Sequence, residues 1–211
     1  MRKFLLLFFI LFFAGIVQAQ PKIGLTFSPT LSTNRVKYKS AQGDISNNGL
    51  AMRFKFGLEA DFEVTETYAF STGLIYAPKR AGFSIEPNGG QVIEEAYKAQ
   101  YLQIPITMKL YTSEVLPDVK GFFQIGLLGE FKVFDEALGD SYTLVEAFKP
   151  FDTSFVFGIG AEYDAGTSSI LYASIVYNRG LINAISKVES GVTEDLSTRM
   201  DMFGIQMGIK F

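Results

Sequence analysis

Glu59 and Asp61 stand two residues apart, and they are the first place to look for chemistry. Paired carboxylates can divide general acid and general base work between them. On a strand, however, residues i and i+2 share a face. Lys55 stands four residues before Glu59 on that face, so an ion-pair network is favoured over catalysis. The chain has no His and no Cys. That removes the commonest general base and metal ligand, together with disulfides and thiol chemistry. Asp44-Ile45-Ser46-Asn47-Asn48 is polar but lacks the D-x-[DN]-x-[DN]-G calcium pattern, so it reads as a solvated loop. Gly158-Ile159-Gly160 falls inside an alternating segment rather than before a helix, so it is no nucleotide fingerprint. No catalytic, cofactor-binding or metal-ligating residue is assigned, no cofactor is expected, and the protein is not expected to be an enzyme.

The elements that position these groups follow from a two-residue rhythm. Phe203, Ile205, Met207, Ile209 and Phe211 alternate with Gly204, Gln206, Gly208 and Lys210. Successive strand side chains point to opposite faces, so one face is apolar and the other small or polar. The pattern recurs in eight segments, near 21–28, 52–64, 68–77, 101–111, 120–132, 153–163, 169–178 and 200–211. Each apolar face, such as Phe54, Phe56, Leu58 or Phe123, Ile125, Leu127, is free of charge. The opposite face carries Lys55, Glu59, Asp61, Glu63, Lys109, Gln124, Glu130, Glu162, Gln206 and Lys210, the candidate interior polar network. Many glycines share that face, where eight strands leave little room. A charge facing lipid at mid-depth costs ~2–4 kcal/mol, so the pattern fits a bilayer.

The links alternate in length. Those near 65–67, 112–119 and 164–168 are short; those near 29–51, 78–100, 133–152 and 179–199 are long. Outer-membrane barrels have short periplasmic turns and longer outer loops. The predicted fold is an all-β, eight-stranded antiparallel up-and-down transmembrane β-barrel with both termini periplasmic. Tyr76, Phe131 and Tyr177 are placed near the outer interface, and Phe62, Tyr68, Tyr163 and Phe211 near the inner one. Pro105 falls mid-strand and predicts a bulge or a locally missing bond. Pro78 predicts a kink where the third strand ends.

Residues 1–19 read as a cleaved signal peptide, with Arg2 and Lys3 before the apolar run Phe4 to Val17 and a small-residue site at Val17-Gln18-Ala19. Residues 20–211 then form one domain. Of 19 basic and 22 acidic residues, Arg2 and Lys3 lie in the leader, so the remainder carries a net charge of −5. No Lys/Arg cluster suggests nucleic acid.

Tyr101-Leu102-Gln103-Ile104-Pro105 resembles the Y-L-[EQ]-I-P segment of the PorT-like outer-membrane β-barrel family of Bacteroidota. Phe56-Gly57-Leu58-Glu59, leading into Gly73-Leu74-Ile75-Tyr76, is similar to that family's second and third strands. Tyr177-Asn178-Arg179-Gly180-Leu181-Ile182-Asn183 resembles its R-Y-x-x-G-L-x-N segment, with Val176 in place of Arg. Gly208-Ile209-Lys210-Phe211 looks like its G-[IL]-K-F ending. The resemblance implies an eight-stranded outer-membrane barrel and makes Pro105 a family feature. It carries no single function, since one member takes part in type IX secretion and most are defined by fold.

The expected role is a non-enzymatic outer-membrane protein of a Gram-negative cell, acting through its outer loops or rim in the envelope or in secretion. Expected partners are outer-membrane lipid, the barrel-insertion machinery and envelope or secretion proteins, but no nucleic acid. Phe203, Ile205, Met207, Ile209 and Phe211 form the proposed assembly signal. Two alternatives stand beside this reading. One is a small passive porin-like channel; the other is a soluble lipocalin-like barrel with its apolar face turned inward around a hydrophobic ligand.

Overall fold

The computed structural model describes residues 21–38, 43–87, 91–139, 144–166, 168–188 and 196–211. The predicted signal peptide and its cleavage site lie outside the described residues. Long strands carry the fold: β1 (Lys22–Lys37), β3 (Ala51–Glu63), β4 (Tyr68–Pro87), β5 (Ile93–Leu116), β6 (Val119–Ala137), β8 (Phe151–Asp164), β9 (Ile170–Gly180) and β11 (Ser197–Lys210). Three short strands accompany them: β2 (Gly43–Asn47), β7 (Val145–Phe148) and β10 (Ile185–Val188).

Nine strands form one antiparallel sheet in the order β2-β4-β3-β1-β11-β9-β8-β6-β5, and β4 also pairs with β5. Stepping sideways from Ser32 across paired residues passes Met202, Asn178, Val156, Gly126, Thr107, Ser71 and Asp61 and reaches Lys22. The pairings thus visit eight strands as a ring and regain β1 ten residues from the start, a stagger that requires tilted strands. β7 and β10 form a separate two-stranded sheet.

The expectation of an eight-stranded up-and-down barrel is therefore corrected. The described residues form eleven strands, not eight, and their sheet order is not a simple up-and-down series. β2 occupies one margin of the nine-stranded sheet, and two strands lie outside that sheet. The apolar alternation alone places the strand ends where the bilayer would end. Here β4 runs for 20 residues and β5 for 24, well past the ~9–11 that cross a membrane. Segments read as long links, such as 29–37 and 78–87, are strand.

Alternation sets the facing. Ile23, Leu25, Phe56, Leu58, Ile125, Leu127, Ile175, Phe203 and Ile205 are each 40 % or more exposed, and their strand neighbours are mostly buried. The apolar face points out and the polar face in, the reverse of a lipocalin-type pocket. Outward aromatic rings pair across strands near the long-link end, as in Phe56–Tyr76 (centroids 5.2 Å apart) and Phe131–Phe151 (5.5 Å).

The two proline expectations part company. Around Pro105 the β4–β5 register is the same on both sides, at Thr72–Ile106 and Ile75–Gln103, while the two rungs between are not paired. A locally missing bond is thus what the ring nitrogen produces, and Pro105 still faces Leu128 on β6. Pro78 does not end its strand. It faces Gln100, and the irregularity falls instead between Gln100 and Tyr101 against β6. The Asp44–Asn48 segment is also not a solvated loop. Residues 44–47 pair with β4, and Ile45 is buried.

Beyond the outward aromatics, the long-link end builds a crown with its own apolar core. Ile45, Phe83, Tyr97, Leu144, Val145, Phe148, Ile185, Leu196 and Met200 meet there. Phe83 and Phe148 both pack edge-on against Tyr97, at 5.9 and 5.7 Å between centroids.

Candidate functional site

Inside the ring the charges fall into two clusters. Near the short-link end, Asp61 on β3 accepts from Lys109 on β5 at 2.9 and 3.2 Å, from Ser71 on β4 at 2.5 Å and from Lys210 on β11. Lys210 also donates to Glu162 on β8 at 2.5 Å, and Tyr111 donates to the same carboxylate at 3.0 Å. Glu59 accepts from Tyr172 at 2.7 Å and Gln206 at 2.5 Å, with Lys109 4.0 Å away. The Lys210 ammonium lies 4.9 Å from the centre of the Tyr172 ring, and that of Lys109 lies 5.2 Å away. Six strands contribute to one cluster because alternation points every one of these side chains inward.

The second cluster lies nearer the crown. Lys79 pairs with Glu130, and Asp152 lies 3.6 Å from the same ammonium. Gln103 donates to Glu130 at 3.0 Å, and Lys79 lies 5.1 Å from the centre of the Tyr101 ring. All of these side chains are buried.

A small apolar cluster of Leu128, Val156 and Val176 packs on β6, β8 and β9, with Val156 lying between Asp152 and Glu162 on its strand. Lys55 is buried at 5 % exposure, and among the described residues it makes no ion pair within 4.0 Å. At most inward-facing glycines a neighbour takes the space a side chain would need. A Cβ on Gly208 would sit 2.2 Å from the Leu25 carbonyl oxygen and 2.6 Å from the Tyr172 ring. One on Gly160 would sit 2.4 Å from the Ala173 oxygen and 2.7 Å from the Phe122 ring. Gly208 and Gly160 are thus seats for the Tyr172 and Phe122 rings that flank the lysines.

Of the ten network residues expected from sequence, Lys55, Glu59, Asp61, Lys109, Gln124, Glu130, Glu162, Gln206 and Lys210 are buried on the inward face. Gln124 donates to Thr107 at 2.9 Å. Glu63 is corrected: it lies exposed at the short-link end, paired with Lys22 at 2.6 Å. At β11, Phe203, Ile205, Met207 and Phe211 are 41–62 % exposed on the outer face. Lys79 and Asp152 are not among the expected network residues, because they lie two residues beyond the expected strand 68–77 and one residue before the expected strand 153–163. Tyr172, whose inward phase was legible, is not among them either, because tyrosines were assigned to the interfaces.

A filled polar interior behind an apolar outer face is the architecture of a bilayer-spanning sheet. The family model described as "Outer membrane protein beta-barrel domain" matches residues 18–186. The chain belongs to this family. Its place is the outer membrane of a Gram-negative cell, among proteins that need lipid and insertion machinery. Among solved structures, OprG from Pseudomonas aeruginosa is similar over 90 % of this chain and 96 % of its own, with 10 % identity and a TM-score of 0.54. Neisserial surface protein A matches over 90 % and 97 %, with 15 % identity and a TM-score of 0.44. Ail of Yersinia pestis matches over 90 % and 99 %, with 14 % identity and a TM-score of 0.39. The OprG likeness speaks to fold alone. No curated protein matches the chain.

Proposed function

We propose that this outer-membrane protein is non-enzymatic, keeps both termini in the periplasm, and works through its crown as an interaction component of the envelope. The observation that carries the reading is the crown itself. Strands continue past the outward aromatics and fold over a second apolar core, which membrane crossing does not require. A rigid scaffold that presents built structure to the outside is how such surfaces bind. Within the family, the Tyr101–Pro105 segment supports a place among PorT-like members, and an envelope or secretion assembly is then the partner class. The alternating outer face of β11 ending at Phe211 is proposed as the signal read during insertion.

The test uses the absence of cysteine, which leaves any introduced thiol unique. Ser186→Cys, on the exposed end of the crown, reacts with a membrane-impermeant maleimide on intact cells; Glu66→Cys, at the short-link end, reacts only after lysis. The reverse pattern would invert the orientation. Photo-crosslinking from position 187 then captures a neighbour, and loss of capture with a crosslinker at position 66 assigns the contact to the crown.

A passive channel is the weaker reading. Buried, ion-paired side chains such as Asp61, Lys109, Lys210, Lys79 and Glu130 fill the interior, so an ion would have to displace them to pass.

A further inference from the structure

Arg35 on β1 and Arg199 on β11 face each other directly across one rung of the sheet. Like charges so placed repel, and a sheet keeps them only with compensation. Both point outward, since Asn34, Thr198 and Met200 beside them are buried on the inner face. One acid, Asp201, lies within reach. Its Oδ2 accepts from Arg35 Nε at 2.7 Å and Tyr177 Oη at 3.3 Å; its Oδ1 accepts from Arg35 Nη2 at 3.1 Å and the Gly180 N–H at 2.9 Å. Arg35 Nη2 also donates to the Gly180 carbonyl at 2.6 Å. Four bonds saturate the carboxylate. Arg199 Nε is buried with no partner, and among the described residues neither Arg199 nor Arg179 pairs with an acid. Arg179 is exposed on the neighbouring outward position of β9, one step beyond Asn178, which pairs with Met202. Three arginines therefore share one stretch of outer face with a single carboxylate, which only Arg35 engages.

The place is as informative as the charge. Directly below on the same outer face lie Phe203, Leu31 and Tyr177, at 50, 42 and 38 % exposure. Apolar surface for acyl chains thus ends where an unmatched positive patch begins. That is the boundary at which a lipid changes from chain to headgroup.

We propose that Arg199 and Arg179, beside the Arg35–Asp201 pair, bind a phosphate on the headgroup of an outer-leaflet glycolipid. The inference rests on the crown facing outward. Arginine suits the task because its planar fork grips phosphate oxygens in pairs. Asp201 acts here as the positioning group: it fixes Arg35 and the Gly180 backbone while leaving the other two cations free.

The test is native mass spectrometry of the full mature protein released from detergent. The probes are lipid A with both phosphates, the same lipid A after dephosphorylation, and inorganic phosphate alone. Wild type should retain the phosphorylated lipid, while Arg199→Gln and Arg179→Gln together weaken retention by about tenfold or more, as lost charge-assisted bonds do. Lys98→Gln, which removes a surface lysine paired with Glu136, should change nothing. Arg199→Lys should recover only part of the retention. A heat-dependent gel shift in every variant establishes that each is folded; if the double variant fails it, Arg179→Gln alone decides. Equal retention of dephosphorylated lipid, or equal retention by the variants, overturns the proposal. So does equally strong capture of inorganic phosphate, which would make this a soluble-anion site. Because the assay is run in detergent, it is independent of the cysteine-labelling test of orientation, and the two can fail separately.

Discussion

At the scale of single residues, the interior is decided by whether each charge finds its complement. Asp61 joins two lysines from distant strands, so Asp61→Asn leaves Lys109 and Lys210 buried with fewer partners. Removing one member of a buried pair costs ~3–5 kcal/mol. The variant should lose its compact gel form at a clearly lower temperature; an unchanged transition would mean the network is not load-sharing. The glycines divide just as sharply. Gly208→Val places Cβ within 2.2 Å of a neighbouring carbonyl and should prevent assembly. Gly129→Ala meets nothing closer than 3.9 Å and should assemble normally. Both are scored by the amount of heat-shifting protein in the outer membrane.

At the scale of elements, one strand reads out where the bilayer stops. On β6, Ile125 and Val133 are both exposed on the outer surface, at 40 and 64 %. Ile125 lies within the apolar band, whereas Val133 lies beyond Phe131 toward the crown. Ile125→Arg should therefore block insertion, with a cost of ~2–4 kcal/mol, and Val133→Arg should be accepted. Equal tolerance at both sites would undo the assignment of the band. The crown has a chemical handle of its own in Tyr97. Burial, and then its hydrogen bond to Glu95 at 2.6 Å, raise the phenol above its ordinary value. A raised acid binds its proton more tightly when folded, so this contribution is complete below the unfolded pKa of about 10 and is lost as pH rises above it. Protease resistance of the crown should fall on alkaline titration, and Tyr97→Phe should flatten that fall.

At the scale of the whole molecule, buried groups stack along one axis: one set of ion pairs, a second set, then the crown core. These side chains fill the interior, so purified protein in a planar bilayer should show no steady ion current. Steady open-channel conductance in wild type would restore the channel reading. Deleting Phe211, which is 62 % exposed beside β11, should slow insertion without changing the interior. Normal outer-membrane levels of the truncated protein would remove it from the assembly signal.

The period-two alternation by itself determined which face of each long strand is wet. That is a local property: backbone geometry sends neighbours to opposite sides, and lipid excludes charge from one of them. Hence the inward burial of nine of the ten network positions was legible, and so was the break in pairing at Pro105, since a missing N–H follows from the residue alone. Only the tertiary structure decided which charges meet. Asp61, Lys210 and Glu162 come from three strands far apart in sequence, brought together by register and tilt. It also decided that Asp44–Asn47, polar by composition, is a strand with Ile45 in a core, and that Lys79 and Asp152 belong inside. A strand that outruns the bilayer loses the lipid constraint that made its pattern readable, and from there its partners, not its sequence, fix what it becomes.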